Sequence, residues 1–193
     1  MTQARESRRA DILRAAFEEF CGGGYDRTRM EHIARRAGIG KSTIYEYFPS
    51  KTELLTAVGE WIFENACKAL HEIFSKQQLF RDMVYHYLKY MNQLMIKAGA
   101  GLLSIRGGDS TFEVAYKCGE QFRDFILKQL MDAVAKAQQK GEIAQDLQTE
   151  AVASLIIGLS SPAILITVTE DWEEHIQQII NVLFKGLQPR AST

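Results

Sequence analysis

The sequence predicts an all-α protein: a small N-terminal helix-turn-helix part followed by a larger helical part. Three observations carry this expectation. Apolar residues recur at spacings of three and four along the chain, and no alternating period-two run bounded by turn residues appears. S/T-x-x-E patterns stand where helical patterns begin, at Thr28/Glu31, Ser50/Glu53 and Ser110/Glu113. Each offers a cap hydroxyl and a carboxylate one turn on, which marks a helix start.

A first helix is expected over about 7–21, with Ile12, Leu13, Ala16, Phe17 and Phe20 on one face and Gly22, Gly23 and Gly24 ending it. Between Thr28 and Ser50 there is room for two short helices, about 29–37 and 41–48. Gly38 can take the left-handed conformation that turns the chain, and Pro49 closes the second helix. Two helices joined by a short glycine-containing turn form a helix-turn-helix signature. Beyond Ser50 longer helices are expected over about 52–75, 78–98, 111–140, 149–168 and 170–187, with a short one near 100–106. Breaks fall at Gly99/Gly101, Gly107/Gly108 and Gly141, and Pro162 should kink its helix. The domain boundary is drawn at 51/52, giving residues 1–51 and 52–193.

With 193 residues, 46% of them apolar, the chain can bury a core and is neither disordered nor fibrous. The net charge of −1 conceals an asymmetry: residues 1–51 carry ten Lys/Arg against seven Asp/Glu, and residues 52–193 thirteen against seventeen. A positive module on an acidic body suits an anionic partner at one end, although so modest an excess also arises from ordinary surface variation. Cys21, Cys67 and Cys118 are odd in number and widely spaced, and no N-terminal apolar run resembles a signal peptide, so a cytoplasmic location is expected. Residues 151–169 contain no charge over 19 positions, close to the length of a membrane span. Serines, threonines and Pro162 dilute that stretch and its flanks lack a Lys/Arg bias, so a buried helix is expected and no membrane partner.

On a helical wheel for 41–48, Ile44 and Phe48 turn inward with Ile33, Ala34 and Ala37. Ser42, Thr43, Glu46 and part of Lys41, Tyr45 and Tyr47 are left outward. Such a hydroxyl-rich face suits a polyanion, since these groups donate to phosphate oxygens and reach base edges. Taken alone, the tyrosines read rather as aromatics at the edge of a core.

From about Ile12 to Leu55, the segments ILRAAFEEF, Gly24–Tyr25, Thr28, IARRAGIGKSTIYEYF and SKTELL together resemble the N-terminal DNA-binding domain of the TetR/AcrR-type bacterial transcription regulators. The likeness covers over a quarter of the chain; beyond it, only the Gly141–Glu142 break is loosely similar. Gly40 stands where the family commonly has Ser, which weakens a helix cap slightly. Arg29 replaces a frequent second Thr or Ser. The resemblance implies binding to a double-stranded DNA operator through Thr28, Arg29, Lys41, Ser42, Thr43, Tyr45, Tyr47 and Lys51. Lys41 would read guanine O6/N7, and Tyr45, Tyr47 and Lys51 would clamp phosphates. Glu46 would accept from cytosine N4 or stand clear of the groove. Arg5, Arg8 and Arg9 would approach the DNA or form a solvated tail.

One short helix in one groove contacts few base pairs, so a homodimer is expected. Ala151, Ser154, Gly158 and Ser161 form a small-residue stripe, and Trp172, Ile176, Ile179, Ile180, Leu183 and Leu187 an apolar side of the last helix. Both could pair across a dimer or fill the core of one chain. The resemblance further implies a cavity for an unidentified small-molecule effector, with Trp61, Tyr87, Met91, Met95, Phe112, Tyr116 and Phe122 as candidate lining. The expected function is a ligand-responsive regulator, a repressor released from a palindromic operator by a small apolar or amphipathic effector. The alternative keeps DNA binding but places control with a metal, thiol redox state or a protein partner. Glu64, Cys67 and His71 share a helical face, and with His86 could hold Zn²⁺. No nucleophile–base pair stands out, so no enzyme, catalytic residue or cofactor is expected.

Overall fold

The computed structural model describes the backbone of residues 2–103, 109–161 and 171–188, and the side chains of 3–97, 119–161 and 171–188. Within these it is helical, without strands. The helices are α1 (Thr2–Gly23), α2 (Met30–Arg36), α3 (Lys41–Tyr47), α4 (Lys51–Ser75), α5 (Phe80–Leu103), α6 (Asp109–Gln139), α7 (Thr149–Leu159) and α8 (Trp172–Leu187). They form two compact units, residues 1–65 with 97–121, and 66–96 with 122–193. The boundary drawn at 51/52 coincides with the start of α4, whereas the units divide further along that helix.

In the N-terminal unit, Ile12, Ala16, Ile33, Ile44 and Leu54 are fully buried and packed with Leu13, Phe20, Met30, Phe48 and Val58. Ile44 and Phe48 thus face inward with Ile33 and Ala34, as the wheel requires. The turn between α2 and α3 is set by Gly38 at φ 67°, where the Ile39 N–H reaches back to the Ala34 carbonyl at 3.0 Å. A Cβ at that φ would be strained, so glycine is the residue that lets α3 fold back on α2.

Two capping expectations have different outcomes. At α4 the Glu53 N–H donates to Ser50 Oγ at 3.1 Å and the Ser50 hydroxyl to Glu53 Oε1 at 3.2 Å. At α2 the cap position is Arg29, without a side-chain cap bond. The Thr28 hydroxyl points the other way, to the Gly24 and Glu19 carbonyls at 2.8 and 3.1 Å, closing the end of α1. The Ser110/Glu113 pair lies outside the described side chains.

The C-terminal unit packs α8 into a core made by α4–α7: Ile176, Ile180 and Phe184 meet Leu70, Phe80, Val84, Leu88, Leu130, Ile143 and Ile156. Gly141 at φ 71° ends α6, with the Glu142 N–H on the Ala137 carbonyl, as expected of that break. Glu142 then accepts from the Phe80 N–H at the start of α5. The Ala144 N–H donates to the Leu187 carbonyl at 2.8 Å, tying the last turn of α8 to the α6–α7 connection. The expected break at Gly99/Gly101 does not occur, since α5 runs on to Leu103; an internal glycine costs a helix only about 1 kcal/mol against alanine. Helix α7 ends at Leu159, so Pro162 and the expected kink lie outside the described residues, as do Gly107 and Gly108. Among the described residues no helix is long and apolar enough to cross a membrane.

Candidate nucleic-acid interface

Helix α3 is held by its inward residues, and what it presents outward is Lys41, Ser42, Tyr45 and Glu46, all exposed, with Thr43 and Tyr47 half-buried beside them. Arg29, at the cap of α2, is exposed as well. The N-terminal arginines are not a tail: α1 is helical from Thr2. The Arg5 guanidinium lies 5.7 Å from the centre of the Tyr47 ring, and that of Arg9 lies 5.5 Å from the Phe48 ring. Cation–π contact therefore gathers positive charge against the end of α3. The sequence held no local signal for this stacking, because the partners lie some forty positions apart.

Two expected DNA contacts turn inward instead. Thr28 is 3% exposed and its hydroxyl is used by α1, so it cannot donate to a phosphate without leaving the core. Lys51 points its ammonium at the loop after α1, donating to the Tyr25 carbonyl at 2.9 Å and the Thr28 carbonyl at 3.2 Å. It also sits 4.2 Å from the centre of the Tyr25 ring. As a structural clamp it fixes the loop against the first turn of α4, where Tyr25 also shares a hydrogen bond with Thr52.

Lys41 is exposed yet paired: its Nζ lies 2.6 Å from Glu31 Oε1 on α2. The hydrogen bond and charge of Lys41 hold the Glu31 carboxyl below its usual range, and Glu31 raises Lys41 in return. A depressed carboxyl keeps its pairing above its ordinary titration range and loses it as pH falls through the lowered value, so the pair is intact at neutral pH. Glu31 read in the sequence only as a capping partner. On the other side of α2, Arg36 is held by Glu18 and Glu19 at 2.9 and 2.6 Å.

The effector candidates are distributed unevenly. Trp61 belongs to the N-terminal unit, against Phe17 with ring centres 6.3 Å apart. Tyr87 and Met91 are buried in the core of the C-terminal unit, Met95 is half-buried, and Phe122 packs against that core. Since the Ser160 hydroxyl donates to the Ile157 carbonyl at 2.7 Å, the Tyr87 hydroxyl is the donor in its 2.8 Å bond to Ser160 Oγ. Burial pushes the Tyr87 phenol up to about 12. Phe112 and Tyr116 lie outside the described side chains. Next to Met91, Asn92 is buried and its Nδ2 has no hydrogen-bond partner among the described residues. An orphan amide of this kind is rare, and leaving it unmade costs about 1–3 kcal/mol.

The thiols are poorly suited to redox sensing. Burial raises Cys21 to about 11 and raises Cys67 as well, which keeps both protonated at neutral pH; Cys118 lies outside the described side chains. Among the described residues no three His, Cys, Asp or Glu side chains are placed to hold a metal ion, the Glu64, Cys67 and His71 row included.

On α7, Ala151, Ser154 and Gly158 are exposed, together with Leu155 at 51%, and Ser161 beyond its end is half-buried. The predicted row on α8 is different: Ile176, Ile180 and Leu183 are buried in the core of their own unit, and Trp172 packs against it. The outward face of α8 is the next row round, where Val182 is 72% exposed and Ile179 half-buried.

A short helix held outward by a two-helix support, with cations and hydroxyls on its open side, defines a helix-turn-helix DNA-binding protein. Residues 12–58 match the family described as bacterial regulatory proteins, tetR family. The chain is 25% identical to the uncharacterized HTH-type transcriptional regulator YdeS of Bacillus subtilis over 186 residues, 94% of this chain and 90% of that protein. It is 39% identical to the HTH-type transcriptional repressor KstR of Mycolicibacterium smegmatis over 56 residues, 29% of this chain and 28% of that one. The fold is similar to that of the transcriptional regulator FadR from Bacillus subtilis, solved in complex with stearoyl-CoA, with a TM-score of 0.69, 18% identity and coverage of 93% and 99%. Residues 12–58 carry the tetR-family match, and over most of its length the chain is similar to HTH-type transcriptional regulators.

The position of Lys51 separates two roles by experiment. Lys51→Ala is expected to lower stability by roughly 1–3 kcal/mol, through the carbonyls it leaves, with no change in the salt dependence of DNA binding by the folded protein. Chemical denaturation and binding at several salt concentrations check this. A variant as stable as the parent, with a slope shallower by about one, would return Lys51 to the phosphates.

Proposed function

We propose that the chain is a ligand-responsive repressor that binds an inverted-repeat operator as a homodimer and leaves it when a small amphipathic effector occupies the C-terminal unit. The observation that carries the DNA half is the outward face of α3, where Lys41, Ser42 and Tyr45 stand exposed on a helix whose other side is buried core. Lys41 and Ser42 lead into the major groove and reach base edges; Tyr45, Tyr47 and Arg29, with Arg5 stacked on Tyr47, take phosphates. Two such heads related by a two-fold axis read half-sites in successive grooves.

The dimer in this reading forms through the outward rows of α7 and α8. Ala151, Ser154 and Gly158 let a partner helix approach, while Leu155 and Val182 supply apolar area exposed in the single chain. Exposed aliphatic side chains on two helices of one unit suit a self-complementary interface.

An effector releases DNA only by binding one arrangement of the dimer better than another. The orphan amide of Asn92 beside Met91 supports a ligand that brings a hydrogen-bond acceptor on an apolar body. The similarity to FadR, solved with stearoyl-CoA, makes an acyl thioester the first compound to try.

Three outcomes test this. Lys41→Ala is expected to lose more affinity on the operator than on a scrambled duplex, by roughly 5- to 150-fold per half-site, in anisotropy titrations; equal losses on both would move base reading to Ser42 or Thr43. Gly158→Trp, at a position where no atom lies within 4 Å of the added Cβ, and Val182→Glu should each shift sedimentation from dimer to monomer, and an unchanged dimer in both relocates the interface. Asn92→Leu should raise the thermal midpoint of the ligand-free protein by roughly 2–8 °C and abolish any shift caused by stearoyl-CoA or related amphiphiles. A lowered midpoint means that the amide is satisfied within the folded protein, and a panel of amphiphiles that never shifts the parent chain points to control by a protein partner.

A further inference from the structure

We propose that Glu31 is a specificity residue for DNA recognition, which shares the ammonium of Lys41 and so converts a general phosphate-seeking cation into a fixed base-edge donor. The proposal rests on the reading of α3 as the recognition helix and assigns a role to a residue outside that helix.

The geometry is direct. Lys41 is the first residue of α3, and its Nζ lies 2.6 Å from Glu31 Oε1 on the neighbouring α2. A lysine elsewhere on the surface is a flexible point charge with three donors, equally satisfied by any phosphate it meets. Glu31 changes this in two ways. It takes one of the three N–H donors and with it much of the freedom of a four-carbon stem, which leaves two donors at a fixed place at the front of α3. It also cancels the charge, so the pair as a whole attracts a phosphate backbone little.

Binding to random DNA is driven by the number of cations that replace condensed counterions. A neutralised lysine adds little to that number. Moving Lys41 to a phosphate would exchange one anion for another and leave the Glu31 carboxylate facing the backbone. Guanine O6 and N7 need no such exchange: they are neutral acceptors, which the two remaining donors reach while the ion pair persists. The pair therefore weakens binding everywhere except where the correct base lies in front of it, which is how an unfavourable element produces discrimination. Arg29, exposed on the cap of α2, also acts on the Glu31 carboxylate, so Arg29, Glu31 and Lys41 together keep one positive charge for the phosphates.

The test compares the full-length parent chain, Glu31→Gln and Lys41→Ala on two duplexes: one selected by the parent chain from a random pool, and its scrambled version. Glutamine keeps an acceptor for Lys41 but removes the charge. For Glu31→Gln the affinity for scrambled DNA should rise several-fold, the slope of log affinity against log salt should steepen by about one per subunit, and the ratio of selected to scrambled affinity should fall by roughly 3- to 10-fold. If Lys41→Ala lowers the ratio while Glu31→Gln leaves ratio and slope unchanged, the role of Glu31 is overturned and the recognition helix stands. If Lys41→Ala leaves the ratio unchanged, Lys41 is not a base reader and the proposal falls with that reading. Helicity and thermal midpoint equal to those of the parent establish that each variant is folded.

Discussion

A helix of seven residues has no stability of its own in water, because the cost of its first turn is not recovered over so short a length. Helix α3 therefore exists only through the burial of Ile44 and Phe48 against Ile33, Ala34 and the α1 core. Everything exposed on its other side depends on that contact. Each fully buried aliphatic of this size contributes on the order of 1.5–3 kcal/mol, so the inward face supplies most of what holds the outward one in place. Gly38 sets the angle at which α3 leaves α2, and Lys51 ties the loop after α1 to the start of α4. The outward face of α3 is held in place by supports from three helices, α1, α2 and α4.

The C-terminal unit solves a different problem with the same materials. Helix α8 is apolar on more than half of its circumference, and one row of it, Ile176, Ile180 and Leu183, is used in the core. Anchoring at both ends fixes which row that is: Arg81 bonds to Asn181 and stacks on Phe184, while the Leu187 carbonyl accepts from Ala144. Near the first turn, Lys89 reaches Glu173 at 2.7 Å and lies over the Trp172 ring. The neighbouring row with Val182 is thereby directed outward.

The positions of α2 and α3 and the inward side of α3 were legible from spacing alone, since apolar residues three and four apart have a unique solution when a helix is short and its turns carry glycine. The direction of Lys51 was not. A lysine at the start of a helix reads as a surface cation, and what turns it inward is a group of carbonyls more than twenty positions earlier. Which row of α8 its own core would take was hidden for another reason: Ile176, Ile179, Ile180 and Leu183 are adjacent on the wheel, so sequence cannot say which of them the core will claim. Gly99 and Gly101 read as punctuation but lie within α5, because an internal glycine weakens a helix by only about 1 kcal/mol and need not end it. Tyr87 and Met91 would look the same in a packed core and in a cavity wall; the orphan amide at Asn92 carries more information than the rings around it.

The ion pairs and core shared between α1 and α2 also decide what can be transplanted. A chimera that exchanged α2 and α3 alone would part Arg36 from Glu18 and Glu19 and bring a foreign apolar face against the α1 core. The portable cassette is the stretch from the α1 core through the first turns of α4, close to residues 12–58, because that length carries Arg36 with Glu18 and Glu19, and Lys51 with the carbonyls it holds. New operator preferences grafted onto this chain would travel as that block or as single outward substitutions on α3, and not as a helix pair.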